Sequence, residues 1–367
     1  MMTDGRIELF LELVRVSLGM RESLSRVPSG EEWEGLYAMA GKQAVQGICF
    51  AGVSSLAGPE RGDYAGMSEN LYYEWAGTAF QIQQRNEKMN RQCGELQNML
   101  SEAGFRSSIL KGQGMSAQYG DQLSSLRQSG DIDVYVDCGR REAIEFAETI
   151  QKEVKWDYKH LHLKAFKGTE VEMHYRAQVL QNPWKNRKLQ MWFKDNEDEF
   201  FSGRANPDGL TSIVVPSPRM AVFYTLLHLY HHLFAEGIGI RQMMDMYYAV
   251  RAMGDCKADA DWCRAAVDFF GMHRFASAVM WIMKEVFGMP DGALLCGPDG
   301  KEGGFVLNEI MDTGNFGDRM GGGKVGIMLG TVRHNAHLLS HYTADAFSAP
   351  AYYLWHWWWK RWGKWKD

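Results

Sequence analysis

The sequence predicts an α+β chain in which a short strand-rich core is flanked by helical modules on both sides, and three observations predict it. Apolar side chains recur at helical spacing over residues 5–100, the runs shorten and alternate from Arg106 to about residue 177, and helical spacing returns after Pro216, Ser217 and Pro218. At 367 residues the chain is long enough for two or three modules around a substantial core. The expected boundaries are 1–104 for a helical N-terminal module, 105–215 for the strand-rich core, 216–290 for a second helical module, 291–350 for a loop-rich segment and 351–367 for an aromatic, basic tail.

The first module carries Ile7, Phe10, Leu11, Val14 and Leu18 on one helical face, then Trp33, Leu36, Tyr37 and Ala40 on another. A long polar helix is expected from Ser68 to Ala103, with Leu71, Trp75, Met89, Leu96 and Leu100 among its apolar positions and Gly104 as its stop. The runs SSILKG, DIDVYVD, HLHLKAF and TEVEMHYRA then read as strands, because Val, Ile, Tyr and alternating apolar residues suit a pleated surface. Between them REAIEFAETIQKEV reads as an amphipathic helix, and helical spacing resumes from Arg219 to Met289. The glycine-rich stretches GPDGKEGGF and RMGGGKVG read as flexible linkers; the loop around Lys324 lacks the G-x-x-x-x-G-K-[ST] frame of a phosphate cradle.

Charge and cysteine content narrow the function classes. With 40 Lys and Arg against 45 Asp and Glu, the net charge is −5, so no global positive field is available for a long nucleic acid. The six cysteines, at 49, 93, 138, 256, 263 and 296, are scattered without a C-x-x-C pair, which fits a reducing compartment and argues against a thiolate zinc site. The opening MMTDGRIELFLELVRV has an acidic flank and helical period in place of a signal peptide's basic and apolar regions. No stretch reaches the roughly 18–20 apolar residues of a membrane-spanning helix. The expected location is cytoplasmic.

The chemistry concentrates on the strands. Asp131 and Asp133, at i and i+2 where an apolar strand begins, point to the same face and can share a hard cation such as Mg²⁺ or Mn²⁺. A bare D-x-D is weak, and Asp259-Ala260-Asp261 in a helical stretch is a second example. Order separates the two. Gly130 directly before Asp131 lets a ligand approach the backbone, Arg127 is a natural phosphate partner, and Lys111-Gly112-Gln113-Gly114 turns out of a strand with a Lys and free N–H groups where phosphates fit. Downstream, alternation in Glu170-Val171-Glu172-Met173-His174 puts Glu170, Glu172 and His174 on one face, so that Glu172 is expected to complete the metal site, while His174 either orients it, touches the acceptor or is simply a paired strand histidine.

The ordered motifs ILKG, LRQSGDIDVYV and VEMHY, followed by a His-rich helix and RQMMD, resemble the uncharacterised nucleotidyltransferase family within the DNA polymerase beta superfamily, over about residues 30–290. The resemblance implies a small mixed sheet with two aspartates on one strand and a third acid on its neighbour, holding Mg²⁺ and a nucleoside triphosphate such as ATP. By that resemblance Asp131, Asp133 and Glu172 are the catalytic and metal residues; from the local reading of the residues, Lys111, Gly112, Gly114, Arg127, Gly130, His174 and Arg241 are expected around the nucleotide. Its Gly-Ser pair is replaced here by Lys111-Gly112-Gln113-Gly114, without the hydroxyl, and Glu172 stands where many relatives carry Asp. The expected reaction is transfer of a nucleotidyl group to a small-molecule or protein hydroxyl; the alternative is a module that kept the fold and lost turnover, acting as a regulator or antitoxin-like partner.

Three further constellations carry weaker expectations. His228, His231 and His232 share one helical face, as packing or hydrogen-bonding groups, phosphate contacts or a zinc site. Arg241 and Asp245 stand at i and i+4, which suits an intrahelical ion pair, unless Arg241 faces the triphosphate. Trp355, Trp358, Trp359, Trp362 and Trp365, interleaved with Lys360, Arg361 and Lys364, form an amphipathic basic tail suited to the protein's own core, a partner protein, an anionic membrane surface or stacking on nucleic-acid bases.

Overall fold

A computed structural model describes residues 5–57, 66–235, 237–315, 337–342, 348, 355 and 359. The N-terminal helices are α1 (Gly5–Ser17), α2 (Gly30–Lys42), α3 (Gln46–Ala57) and the 34-residue α4 (Glu69–Glu102). Their limits follow from local chemistry. Ser29 and Glu32 close a capping box on α2, and Ser68 caps α4 by accepting from the Leu71 N–H. After α4 the chain turns at Gly104, whose φ of +87° is the left-handed region that glycine tolerates best.

The core then runs β1 (Ser107–Ile109), the single turn α5 (Gln113–Ser116), β2 (Ile132–Val136), α6 (Arg140–Ile150), β3 (Lys155–Trp156), β4 (His160–Phe166) and β5 (Thr169–His174). These strands form one mixed sheet in the order β1-β2-β5-β4-β3, parallel only between β2 and β5. The four strands expected from sequence are there, and the two-residue edge strand β3 follows the expected amphipathic helix, which stops early, at Ile150 of α6. Beyond β5 come α7 (Pro183–Asp195) and a hairpin of β6 (Gly203–Ala205) and β7 (Ile213–Val215), in a stretch where spacing alone predicted nothing. The Gln97 amide on α4 donates to Ser107 O and Val214 O and accepts from Val214 N, which stitches β7 against β1 and covers that edge of the sheet.

Helices α8 (Pro218–Ala235), α9 (Ile240–Met253), α10 (Lys257–Phe269), α11 (His273–Glu285) and α12 (Gly300–Thr313) build the C-terminal module. α12 corrects the linker expectation for GPDGKEGGF: Asp299 caps the helix, and Gly303 packs so tightly on Trp281 that a Cβ there would lie 2.4 Å from the ring. The RMGGGKVG stretch lies outside the described residues.

Two apolar cores divide the work. One lies among the helices and includes Trp33, Trp75, Phe223 and Phe275; the other lies under the sheet, where Met89, Cys93, Leu96 and Leu100 of α4 and Ala143 and Ala147 of α6 cover Ile132, Val134, Leu161, Leu163, Val171 and Met173. The alternate positions along β2, β4 and β5 face the other way, and that face is polar. Of the C-terminal tail, Trp359 packs against Trp156 and Tyr158, and Trp355 against Tyr158, at ring separations of 4.9–5.8 Å. Trp359 is buried by these contacts while Trp355 stays exposed at its edge; the other tryptophans of the tail lie outside the described residues. Among the described residues no helix is long and apolar enough to cross a membrane. All six cysteines are free.

Candidate active site and metal centre

Strand register assembles the site. Asp133 of β2 pairs with Glu172 of β5, and Tyr135 with His174; β4 then sets His160 against His174 and His162 against Glu172. With side chains alternating along each strand, Asp133, Glu172, His174, His160 and His162 share the face away from the apolar core. The two carboxylates expected on neighbouring strands are thus brought together directly.

Contacts within this face are short. His174 Nε2 lies 3.0 Å from Asp133 Oδ1 and 3.4 Å from Glu172 Oε2, so one ring bridges both acids. Lys111 Nζ lies 3.0 Å from Asp133 Oδ2. Burial would push the Asp133 carboxyl up, but the Lys111 ammonium and the His174 hydrogen bond outweigh it and hold the group well below the usual range. Glu172 behaves alike: burial opposes ionisation, the His174 hydrogen bond overcomes it, and the pKa falls to about 2. Asp131 moves the other way, raised first by the negative charge of Asp133 and then by burial. The Lys111 ammonium is favoured despite its burial, because Asp133, Asp131 and Glu172 all surround it.

Among the described residues, two groups of three metal-ligand side chains converge to within 4.8 Å: Asp133, Glu172 and His174, and His160, His162 and Glu172. Asp131 borders the first group without belonging to it. Neither group includes His228, His231 or His232. His228 instead meets the Gln178 amide at 3.2 Å and packs edge-on against His232 at 4.3 Å between ring centroids. The second aspartate pair also resolves: Asp259 pairs with Arg219 and Asp261 with Arg264 on α10, away from the sheet.

A small cavity of about 30 Å³ lies between the start of β2 and helices α8 and α9, lined by Lys111, Gly112, Gly130 and Asp131 from the sheet side and by His232 and Arg241 from the helices. Gly112 sits at φ +64°, where its backbone passes close to Asp131, and Gly130 faces open space. Gly114 serves packing instead of ligand access, because a Cβ there would come within 2.8 Å of Ile109 O. Gln113 likewise turns inward, donating to Asn90 Oδ1.

The basic residues differ from expectation. Arg127 is buried and its guanidinium forks onto both oxygens of Asp245 at 2.7 Å while also donating to Ser129 Oγ. Tyr119 donates to the same Asp245 carboxylate. Asp245 is therefore held by the core, and the i, i+4 pairing with Arg241 gives way to this long-range bidentate bridge. Arg241 donates to Gln128 O and Asn315 Oδ1 and keeps a buried Nε with no hydrogen-bond partner on the pocket wall. Read along the chain alone, His160 and His162 are strand residues with no assigned role. The signal available was the His-x-His alternation, meaningful only once β4 is known to pair with β5.

The profile of the family described as uncharacterised nucleotidyltransferase matches residues 29–288 of this chain. The search of curated proteins gives no match. Among solved structures, that of an antigenic nucleotidyltransferase-like protein from Paracoccidioides brasiliensis is similar at 12% identity and a TM-score of 0.33, over 53% of this chain and 92% of that one.

Proposed function

Because this chain belongs to the uncharacterised nucleotidyltransferase family, we propose that it transfers a nucleotidyl group from a nucleoside triphosphate to a hydroxyl of a small molecule or a protein side chain. The observation that carries this reading is the pairing of Asp133 with Glu172 across β2 and β5, with Asp131 two residues back and Lys111 at 3.0 Å. The donor set fits Mg²⁺ or Mn²⁺: the carboxylates crowd one another enough to raise Asp131, and hard oxygen ligands suit those ions. A divalent cation would be held by Asp133 and Glu172, with Asp131 beside them, and would supply charge neutralisation at the triphosphate and a more acidic acceptor hydroxyl.

The chain's own groups do the rest. Lys111 and Arg241 take phosphate oxygens from opposite walls of the pocket, and Gly112 and Gly130 give the nucleotide room against the backbone. His174 holds Asp133 and Glu172 in fixed orientation. Arg127 acts as a positioning residue by locking α9, and with it Arg241, to the β2 side of the pocket. The acceptor oxygen attacks the α-phosphorus, its proton passes to a site carboxylate, and pyrophosphate leaves. The balanced charge of the chain favours a compact acceptor over a long nucleic acid.

Incubation with each labelled NTP, Mg²⁺ and a metabolite extract tests the reading. Labelled product is expected from the wild type and not from Asp131→Asn/Asp133→Asn. Equal signal from the two proteins would exclude chemistry at this site; NTP binding by the wild type without any product would favour the regulatory module.

A further inference from the structure

Glu172 turns its two oxygens to different partners. Oε2 faces His174 on the Asp133 side, at 3.4 Å, while Oε1 faces His160 Nε2, also at 3.4 Å, on the side that nucleotidyl transfer leaves unused. On that side the antiparallel register of β4 places His162 directly across from Glu172. Ligand atoms of His160, His162 and Glu172 all lie within 4.8 Å of one another.

We propose that His160, His162 and Glu172 form a second cation site, selective for a zinc-class transition metal, with Glu172 bridging it to the carboxylate site. A His-x-His pair on a strand aims two imidazoles the same way at a spacing set by the backbone. Two nitrogens and one carboxylate oxygen suit Zn²⁺, whereas Mg²⁺ is held by oxygen donors. The ligands stand on paired strands, which fixes their separation better than loops would.

A supporting group is in place behind His160. Its Nδ1 is buried without a hydrogen-bond partner, and Asp157 Oδ1 lies 3.9 Å away, itself anchored by the N–H groups of Lys159 and His160. A shift of about an ångström would let Nδ1–H donate to Asp157, fixing the ring with Nε2 free for metal, the arrangement found behind most ligating histidines. His162 is exposed, so three protein ligands leave a coordination position open to solvent or substrate.

The site stands beside the proposed transfer reaction and shares only Glu172 with it. The test uses the full chain, stripped with chelator, titrated with Zn²⁺, and then with Co²⁺ as a visible probe of nitrogen ligation. The wild type is expected to retain zinc through dialysis and to give a cobalt spectrum; Asp131→Asn should keep both. His162→Ala and His162→Gln, which alter an exposed side chain and should melt like the wild type, are expected to weaken zinc about 100-fold, and Asp157→Asn about 10-fold. Zinc retained equally by the His162 variants, or not retained by the wild type, overturns the proposal. The readout is bound metal, so a failure here is distinguishable from a failure of nucleotidyl transfer.

Discussion

Arg127 and Asp245 are more than a hundred residues apart in sequence and form a deeply enclosed ion pair at the edge of the pocket, with side chains 3% and 9% exposed. Desolvating both charges is costly, and the two parallel hydrogen bonds offset that cost only while both partners remain. Asp245→Ala would leave the guanidinium buried and unpaired, with an expected loss of about 3–5 kcal/mol in denaturant unfolding. Tyr119→Phe removes one hydrogen bond to the same carboxylate and should cost about 1.5–3 kcal/mol. If Asp245→Ala unfolds at the wild-type midpoint, Arg127 is not a positioning residue. The sequence marked Arg127 as basic and near the aspartates; it held no sign that a carboxylate on α9 would claim it.

At the scale of elements, α12 offers a paired test. Gly303 abuts Trp281, and an added Cβ would meet the ring, so Gly303→Ala should destabilise by about 1–3 kcal/mol through overpacking. One residue on, a Cβ added at Gly304 would meet nothing within 4 Å, so Gly304→Ala should stabilise the same helix by about 0.4–1 kcal/mol. Thermal melts that move in the same direction for both variants would contradict the packing of α12 on α11. A glycine-rich stretch reads as a linker when viewed locally. Here one glycine is a contact surface, and only the position of Trp281 reveals it.

Across the whole molecule, buried histidines set the response to acid. Burial first, then the repulsion that a second proton in the cluster would meet (His232 for His228, His231 for His232) and the Lys159 ammonium for His231, lower His228 and His232 well below 6.5 and His231 to about 3. Each ring stays neutral when folded but takes a proton at its ordinary pKa of 6.5 when unfolded. Acid therefore favours the unfolded chain, and stability is lost as pH falls below about 6.5, by about 1.4 kcal/mol per pH unit for each such ring. His174, raised by its carboxylate partners against the effect of burial, works in the opposite direction, but singly. Denaturant midpoints should fall steadily from pH 7 to pH 5, with a shallower slope in His231→Gln. A flat profile over that range would mean that these rings charge without penalty in the folded protein.

The sequence by itself determined the helical flanks, four of the five strands of the main sheet and the order of Lys111, Asp131, Asp133 and Glu172, because hydrophobic period and short motifs are local properties. It also carried enough family signal to indicate the small mixed sheet. The tertiary structure decided what each charged group faces: Arg127 turns to Asp245, His160 and His162 join the face of Glu172, and Gly114 packs against β1. Register and long-range ion pairs depend on how distant strands and helices align, which a period read along one segment does not encode. The acidic cluster was visible from spacing alone; its histidine border exists only once β4 lies beside β5.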